Sequence, residues 1–532
     1  MGPQSMRYLT SPAVCVAIIA VWSVISFGLV FGVYADLPIL DHYLFRQTQV
    51  ATVAREIARG GPWLDYRMPI FGPPWTAPLE FPLYQIAIAK LSGVTGMPLE
   101  LSGRVVSVLS GIAVLVAAWR ATILLNFTKL QQVALVAILA ASPMYFYWSH
   151  TVMIEMFSLA LAMGMALCAL EFIQRDRLWP LGLGAVLAIL AALSKTTTFV
   201  VFSVAVFVGF ALHYLRFAWE KRAQPGAVVE RGLQWMSYGL ALLGPALLVT
   251  FIWVDFSDAT KAAHPLTEFL TSERLHDWNY GSNVERGQSL SYILMPFRGN
   301  SPSILAQAIG LFWWLALVLA LPGLFLEIRR RGWLLLGLLV GFLSGLMIFS
   351  NLYEHHYYYW VANVVFLLAI LAIGICATIE WASGFITGRT PLPSHLVNWA
   401  VPVSLSLLLL AGAGWTWQSF FFQRSLSGWA SAEAVGAAVA ESSEPDEIVY
   451  VFGIGWNSVL QYLSDRRMVL GYQRRAALEY AETDGPAAAL LLICRDERER
   501  EAEILESPAF AERGFVQIDR VSFCNFYAPE EA

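Results

Sequence analysis

Eleven long apolar runs constrain this chain more than any motif in it. They lie at about 12–34, 101–125, 130–148, 152–172, 178–194, 196–215, 233–254, 303–325, 332–350, 357–379 and 398–418. Each is close to the roughly 20 residues a helix needs to cross a bilayer. The expected fold is an all-α polytopic membrane protein with about eleven transmembrane helices across residues 1–420. Only 14% of residues are charged, against about 25% in an ordinary soluble domain. Mean hydropathy is +0.58. The stretch 81–95 is shorter and contains Lys90, so it reads as a helix at the interface rather than a span. Residues 11–34 form too long a run for a signal peptide and lack a small-residue cleavage site, so they read as an uncleaved first span.

Basic residues set the expected orientation. Arg120, Lys129, Arg175, Arg177, Arg216, Lys221, Arg222, Arg231, Arg329, Arg330, Arg331 and Arg389 fall in alternate loops, which are expected to be cytoplasmic together with the N-terminus. The opposite loops are 35–100, the turns at 149–150, 195 and 353–360, the loop 255–302 and the C-terminal tail. They collect the aromatics, the histidines and the isolated ionisable groups.

The tail, 421–532, holds 19 acidic residues against 10 arginines and no lysine. An acidic surface excludes nucleic acid as a partner, because phosphate binding needs positive charge. Strands are expected at 447–452, 468–470 and 488–494, with one or two more in 515–526. Helices are expected at 456–463, 476–482 and 495–505. This alternation describes a small α/β domain placed outside the membrane. If it lies in an oxidising compartment, Cys494 and Cys524 are able to pair. Cys15, Cys168 and Cys376 sit in apolar runs and read as inert small hydrophobes.

Ionisable groups beside a bilayer are costly, which makes each a candidate for chemistry. The densest set follows the first span: Asp41, His42, Arg46 and Gln47, then Glu80 and Tyr84. Asp41 suits a general base that takes a proton from an acceptor hydroxyl, or else a helix N-cap. Arg46 is able to grip a phosphate with two N–H groups, or to snorkel. Glu155 supplies a second carboxylate or an ion-pair partner. Lys195 supplies a phosphate contact or another snorkelling cation. The run 353–360 resembles an interfacial aromatic belt, but His355 and His356 beside Tyr357 exceed what a belt needs. A divalent cation is an open option, with Asp41, Glu155, His355 and His356 as ligands. The loop 255–302, with His264, His276, Asp277, Trp278 and Asn279, either covers the site or is an ordinary interfacial loop. Trp456, Asn457, Tyr462, Asp465, Arg466 and Arg467 read as a packed tail surface or a sugar contact.

The order Asp41-His42, Arg46-Gln47, then residues 80–85 (Glu-Phe-Pro-Leu-Tyr-Gln), Ser142-Pro143 with Glu155, Lys195, and residues 355–358 (His-His-Tyr-Tyr) resembles a known family. These are the GT-C-fold glycosyltransferases of the protein O-mannosyltransferase and aminoarabinose-transferase type. The resemblance covers about residues 10–380. It implies that Asp41 and Glu155 are the catalytic acidic positions. Arg46, Lys195, His355, His356 and Tyr357 would meet the donor phosphate, and His42, Gln47, Glu80 and Tyr84 would line the substrate pocket. Phe81 departs from the family, which has a lysine after the glutamate.

The implied activity is sugar transfer from a polyprenyl-phosphate donor to an envelope lipid, glycan or protein, on the outer face of a bacterial inner membrane. A flippase or transporter for lipid-linked sugars is the alternative. It calls for charges deep in several spans and repeated halves, whereas the ionisable residues here gather on one side. A non-catalytic scaffold has no use for that shared placement.

Overall fold

The computed structural model describes residues 12–39, 42–295, 301–387, 394–423 and 429–530. Asp41 and Arg389, both singled out above, lie outside them. In chain order the principal membrane-region helices are α1 (Pro12–Gly32), α2 (Leu44–Ala58), α3 (Leu83–Thr95), α4 (Leu99–Leu124), α5 (Lys129–Ala141), α6 (Glu155–Arg175), α7 (Trp179–Ser194), α8 (Thr196–Glu220), α9 (Pro225–Ala262), α10 (Trp313–Ile348), α11 (Val361–Thr387) and α12 (Ser394–Thr416). Among the described residues, α1, α4, α6, α8, α9, α10 and α11 are long and apolar enough to cross a membrane, and α5 and α7 are shorter apolar helices. Helices are the element that satisfies every backbone N–H and C=O without water, so apolar runs of this length take no other form in lipid.

The runs do not map one to one onto helices. The run 130–148 divides at Ser142-Pro143. Pro143 has no N–H to continue α5, so it starts a new short helix, Pro143–Trp148, instead. The runs 303–325 and 332–350 correspond to the two halves of α10, which part at Arg331, where the backbone leaves helical geometry (φ −129°, ψ 21°). The stretch 81–95 is the 13-residue helix α3.

Outward faces carry large apolar side chains, among them Met236, Leu240 and Phe251 on α9 and Phe325 on α10. Patches of this kind mark contact with lipid. Inside, α10 and α11 pack closely. A Cβ on Gly323 would run into the carbonyl of Gly374, so glycine is what permits the approach.

The tail forms one five-stranded sheet, β1 (Ile448–Phe452), β2 (Arg467–Leu470), β3 (Leu490–Cys494), β4 (Phe515–Val521) and β5 (Cys524–Pro529), in the order β2-β1-β3-β5-β4. β1 pairs in parallel with β2 and β3, while β5 is antiparallel to β3 and to β4. All five residues of β3 are buried, which explains its unbroken Leu-Leu-Leu-Ile-Cys sequence. The charged segment after it is a 3-10 turn, Arg495–Arg500, followed by the short helix Glu501–Leu505. Cys494 and Cys524 are register partners on β3 and β5 and form a disulfide.

The tail does not stand apart from the first loop. Met468 N–H donates to Pro69 O at 3.0 Å and Leu470 N–H to Ile70 O at 2.9 Å, so the loop lies along the edge of β2. Val53, Ile57, Tyr66, Ile70 and Phe71 share a hydrophobic core with β1, β2 and β3. On the other side α2 meets the helix Val459–Ser464. Thr52 donates to Gln461 Oε1 at 2.8 Å, Arg55 to Tyr462 O at 3.0 Å, and Arg59 grips Asp465 with both Nη atoms at 3.0 and 2.5 Å. Partial burial works against the Asp465 charge, but Arg59 and Arg55 outweigh it and hold the carboxyl below its ordinary value. Tyr462 also bonds Glu100. Tyr462 and Asp465 are therefore packing residues of this interface.

The disulfide closes a separation of 30 residues, a length for which chain-entropy arguments give about 3–4 kcal/mol. Cys494→Ser with Cys524→Ser is expected to lower the tail's stability by about that amount. Limited proteolysis should then cut the tail sooner while the helical bundle stays protected.

Candidate active site

The site forms where the N-terminal part of α2, the segment 78–82, the 353–360 turn and the starts of α6 and α8 meet. Two ion pairs lie at its centre. Lys195 bonds Glu155, and Arg46 bonds Glu80. Lys195 interrupts two helices. Its extended backbone (φ −161°, ψ 98°) ends α7 and starts α8. Glu155 opens α6, where the aligned peptide dipoles favour a carboxylate. Both side chains are almost fully buried, at 5% and 2% exposed. The rings of Tyr358 and Tyr359 lie over Lys195 Nζ at 4.8 and 4.3 Å and add cation–π attraction. The second carboxylate oxygen of Glu155 is buried and has no hydrogen-bond partner among the described residues.

Arg46 also reaches Gln49 Oε1 at 3.2 Å. Burial works against its charge, but Glu80 outweighs that cost, helped by Tyr358, Tyr359 and Glu155, and the guanidinium is held above its ordinary value. All four ionic groups therefore lie within electrostatic reach of one another.

Glu80 sits on a braced strap. Tyr66 donates to Glu80 O at 3.0 Å and receives the Leu79 N–H at 2.6 Å. Trp253 donates to Leu79 O at 2.9 Å and Ser257 to Pro78 O at 2.7 Å, both from α9. Phe81, in the position where the resemblance calls for a lysine, packs edge-on against Trp253 at 5.0 Å. It anchors the strap and contributes no charge.

The 353–360 turn is tied down by Tyr43, a residue the sequence reading missed. Its hydroxyl donates to His355 O at 3.2 Å and accepts the Tyr357 N–H at 3.1 Å. Its ring meets Tyr358 edge-on at 4.6 Å. Tyr43 itself is left-handed (φ 53°) at the head of α2, a conformation that costs a non-glycine residue about 1–3 kcal/mol and persists only where contacts enforce it. His356 stacks on Tyr358 at 5.3 Å, while His355 packs against Trp278 at 4.9 Å and bonds Asn351 O at 3.0 Å. Both histidines are partly exposed. Trp278 comes from the loop 255–302, so that loop covers this side of the turn.

Several expected pocket residues turn out to be braces. His42 is buried between Tyr147, Tyr357, Phe420 and Phe421. Its Nε2 donates to Phe420 O at 2.9 Å, which leaves Nδ1 to accept from Tyr357 Oη. Gln47 donates to His42 O at 2.9 Å and accepts the Val152 N–H at 3.2 Å. The Tyr84 hydroxyl lies against Gly103 O at 2.9 Å and Ser107 Oγ at 2.7 Å. These groups spend their polar atoms on protein and hold the site from behind, because polar atoms buried beside spans need partners. Tyr357 commits its hydroxyl in the same way.

Arg104 is the second residue the sequence reading missed. It is 1% exposed inside α4. It donates to Tyr34 O at 2.8 Å, Leu37 O at 3.1 Å and Pro38 O, which fixes the chain just upstream of residue 40. Among the described residues no three His, Cys, Asp or Glu side chains converge as a metal site. Glu155 is already bonded to Lys195, and His355 lies against Trp278, so the described members of the suggested ligand set point to different partners.

No protein-family model matches the chain, and no curated protein matches it. Solved structures do. ArnT from Cupriavidus metallidurans bound to undecaprenyl phosphate superposes with a TM-score of 0.60 at 13% identity, over 99% of this chain and 98% of that one. The archaeal oligosaccharyltransferase AglB from Archaeoglobus fulgidus, in complex with an inhibitory peptide and a dolichol-phosphate, gives 0.56 at 10% identity, over 97% of this chain and 74% of that one. The arabinofuranosyltransferase AftD from Mycobacteria gives 0.51 at 15% identity, over 96% of this chain and 41% of that one.

Breaking a buried ion pair strands its partner's charge, so Lys195→Met alone is expected to cost about 3–5 kcal/mol. Glu155→Leu with Lys195→Met removes both charges and should recover most of that loss. Unfolding of the single and double variants in detergent measures the difference. Additive losses would mean that the two residues are not coupled.

Proposed function

We propose, from the GT-C fold of this polytopic helical bundle with its small C-terminal sheet, a membrane glycosyltransferase that moves a sugar from a polyprenyl-phosphate donor to an envelope lipid, glycan or protein. The reaction is placed on the outer face of a bacterial inner membrane, with the N-terminus cytoplasmic and the tail outside. The disulfide supports that side for the tail, because such bonds persist in oxidising compartments. One observation carries the reading: two cations, Arg46 half-buried and Lys195 buried under Tyr358 and Tyr359, come together at one end of a lipid-facing bundle.

Transfer proceeds by displacement at the anomeric carbon. The acceptor hydroxyl attacks, the bond to the carrier phosphate breaks, and the phosphate leaves with the electron pair. Asp41 accepts the acceptor's proton; its place after the first span supports this role. Arg46 and Lys195 offset the charge that builds on the leaving phosphate. In the structure each cation rests on a carboxylate, so the phosphate takes up contacts that Glu80 and Glu155 now hold. The uncommitted oxygen of Glu155 is available to a sugar hydroxyl. His356, partly exposed, stacks on Tyr358, the ring that covers Lys195.

The test is transfer of labelled sugar by the purified chain in lipid, from a panel of polyprenyl-phosphate sugars, with an envelope extract as acceptor. Wild type is expected to transfer, and Asp41→Asn to lose at least about 100-fold, in the range a general base supplies. A single displacement inverts the anomeric centre, so the product should carry the opposite configuration to the donor. Retention would rule out the one-step mechanism, and full activity in Asp41→Asn would remove Asp41 from it.

A further inference from the structure

A cavity of about 550 Å³ opens at the other end of the bundle, between α4, α6, α8, α10 and α11. Ile173 and Gln174, which line it, lie at the opposite end of α6 from Glu155, roughly 27–30 Å away at the helical rise. It is therefore separate from the paired charges. Small residues make the space: Ala166, Ala169, Ala205 and Gly209 line it, and a Cβ on Gly209 would meet nothing within 4 Å. Leu338 and Phe366 add apolar wall.

The cavity also carries positive charge, from Arg216, Arg330 and Arg331, with His213 beside them. Arg216 is paired with Glu220, and Arg331 with Glu327, Gln131 and Asn126 O. Arg330 makes no ion pair among the described residues and is exposed. Around the cavity Phe207 and Leu215 on α8 and Leu336 on α10 face outward.

We propose that this cleft binds an anionic phospholipid, one acyl chain between α6, α8 and α10 and the lipid phosphate on Arg330 and Arg216. An apolar slot with arginines beside it matches an anionic lipid at both ends, and basic pockets between transmembrane helices hold such headgroups. The apolar lining, Ala166, Ala169, Ala205, Gly209, Leu338 and Phe366, suits an acyl chain. The proposal rests on the membrane reading of the fold and not on the transfer chemistry.

Native mass spectrometry of the full purified chain tests it, with phosphatidylglycerol and phosphatidylcholine of identical chains. Phosphatidylglycerol is expected to bind at least tenfold more tightly. Arg216→Gln with Arg330→Gln should erase that preference, and Arg330→Lys should keep most of it. Gly209→Leu and, separately, Ala205→Leu should each reduce binding of both lipids by filling the slot. Arg520→Gln, exposed on β4 of the tail, should change neither. Equal binding of the two lipids overturns the proposal, as does a preference that survives the double arginine variant. So does lipid binding untouched by both slot-filling variants when their unfolding in phosphatidylcholine matches wild type.

Discussion

The Lys195–Glu155 ion pair is the interaction on which the rest of the site depends. A lysine and a glutamate with almost no solvent lose far more hydration than their attraction alone returns, unless geometry and neighbours favour them. Here the neighbours are specific. The break between α7 and α8 delivers Lys195, the start of α6 delivers Glu155, and Tyr358 and Tyr359 roof the ammonium. Moving any of these elements would strand a charge. Arg46 and Glu80 repeat the pattern closer to solvent, so the site is electrically balanced at rest, and in the proposed reaction its two cations meet the leaving phosphate.

That balance explains the amount of bracing around it. His42, Gln47, Tyr43, Tyr84 and Arg104 direct hydrogen bonds at backbone groups, and between them they tie the first loop to α4, to Val152 ahead of α6 and to the 353–360 turn. The tail extends the same frame. Its sheet shares a core with the first loop, and Gln49 connects Arg46 to Trp456 O at 3.2 and 3.3 Å. The tail is therefore joined to Arg46 through Gln49 as well as through the packed layer it shares with the first loop.

The sequence made the architecture readable because lipid leaves few choices. Apolar runs had to be helices, and the alternation of apolar strands with polar turns in the tail gave the sheet, including the strand ending at Cys494. What it could not give was pairing. Arg46 and Glu80 are 34 residues apart and Glu155 and Lys195 are 40 apart, and each reads alone as a candidate for chemistry. His42, Gln47 and Tyr84 read as pocket residues because a polar side chain near an interface looks the same whether it faces substrate or a buried carbonyl. Arg104 was overlooked because its run is otherwise apolar, although a lone arginine there is the kind of costly charge that signals a built contact. Pro143 carried its message openly, since proline stops α5, and the break at Arg331 falls in the basic gap 329–331 between two apolar runs.

The central claim is that Arg46 and Lys195 receive a lipid phosphate, and binding of undecaprenyl phosphate without any sugar tests it most directly. Phosphorus NMR of the purified chain in detergent would report the bound phosphate. The expected result is a shifted, saturable signal in wild type and in Asp41→Asn, weakened at least tenfold in Arg46→Gln and in the charge-free Glu155→Leu/Lys195→Met double variant. Binding that is unchanged in both cation variants, with the fold intact, would contradict the account and place the phosphate elsewhere.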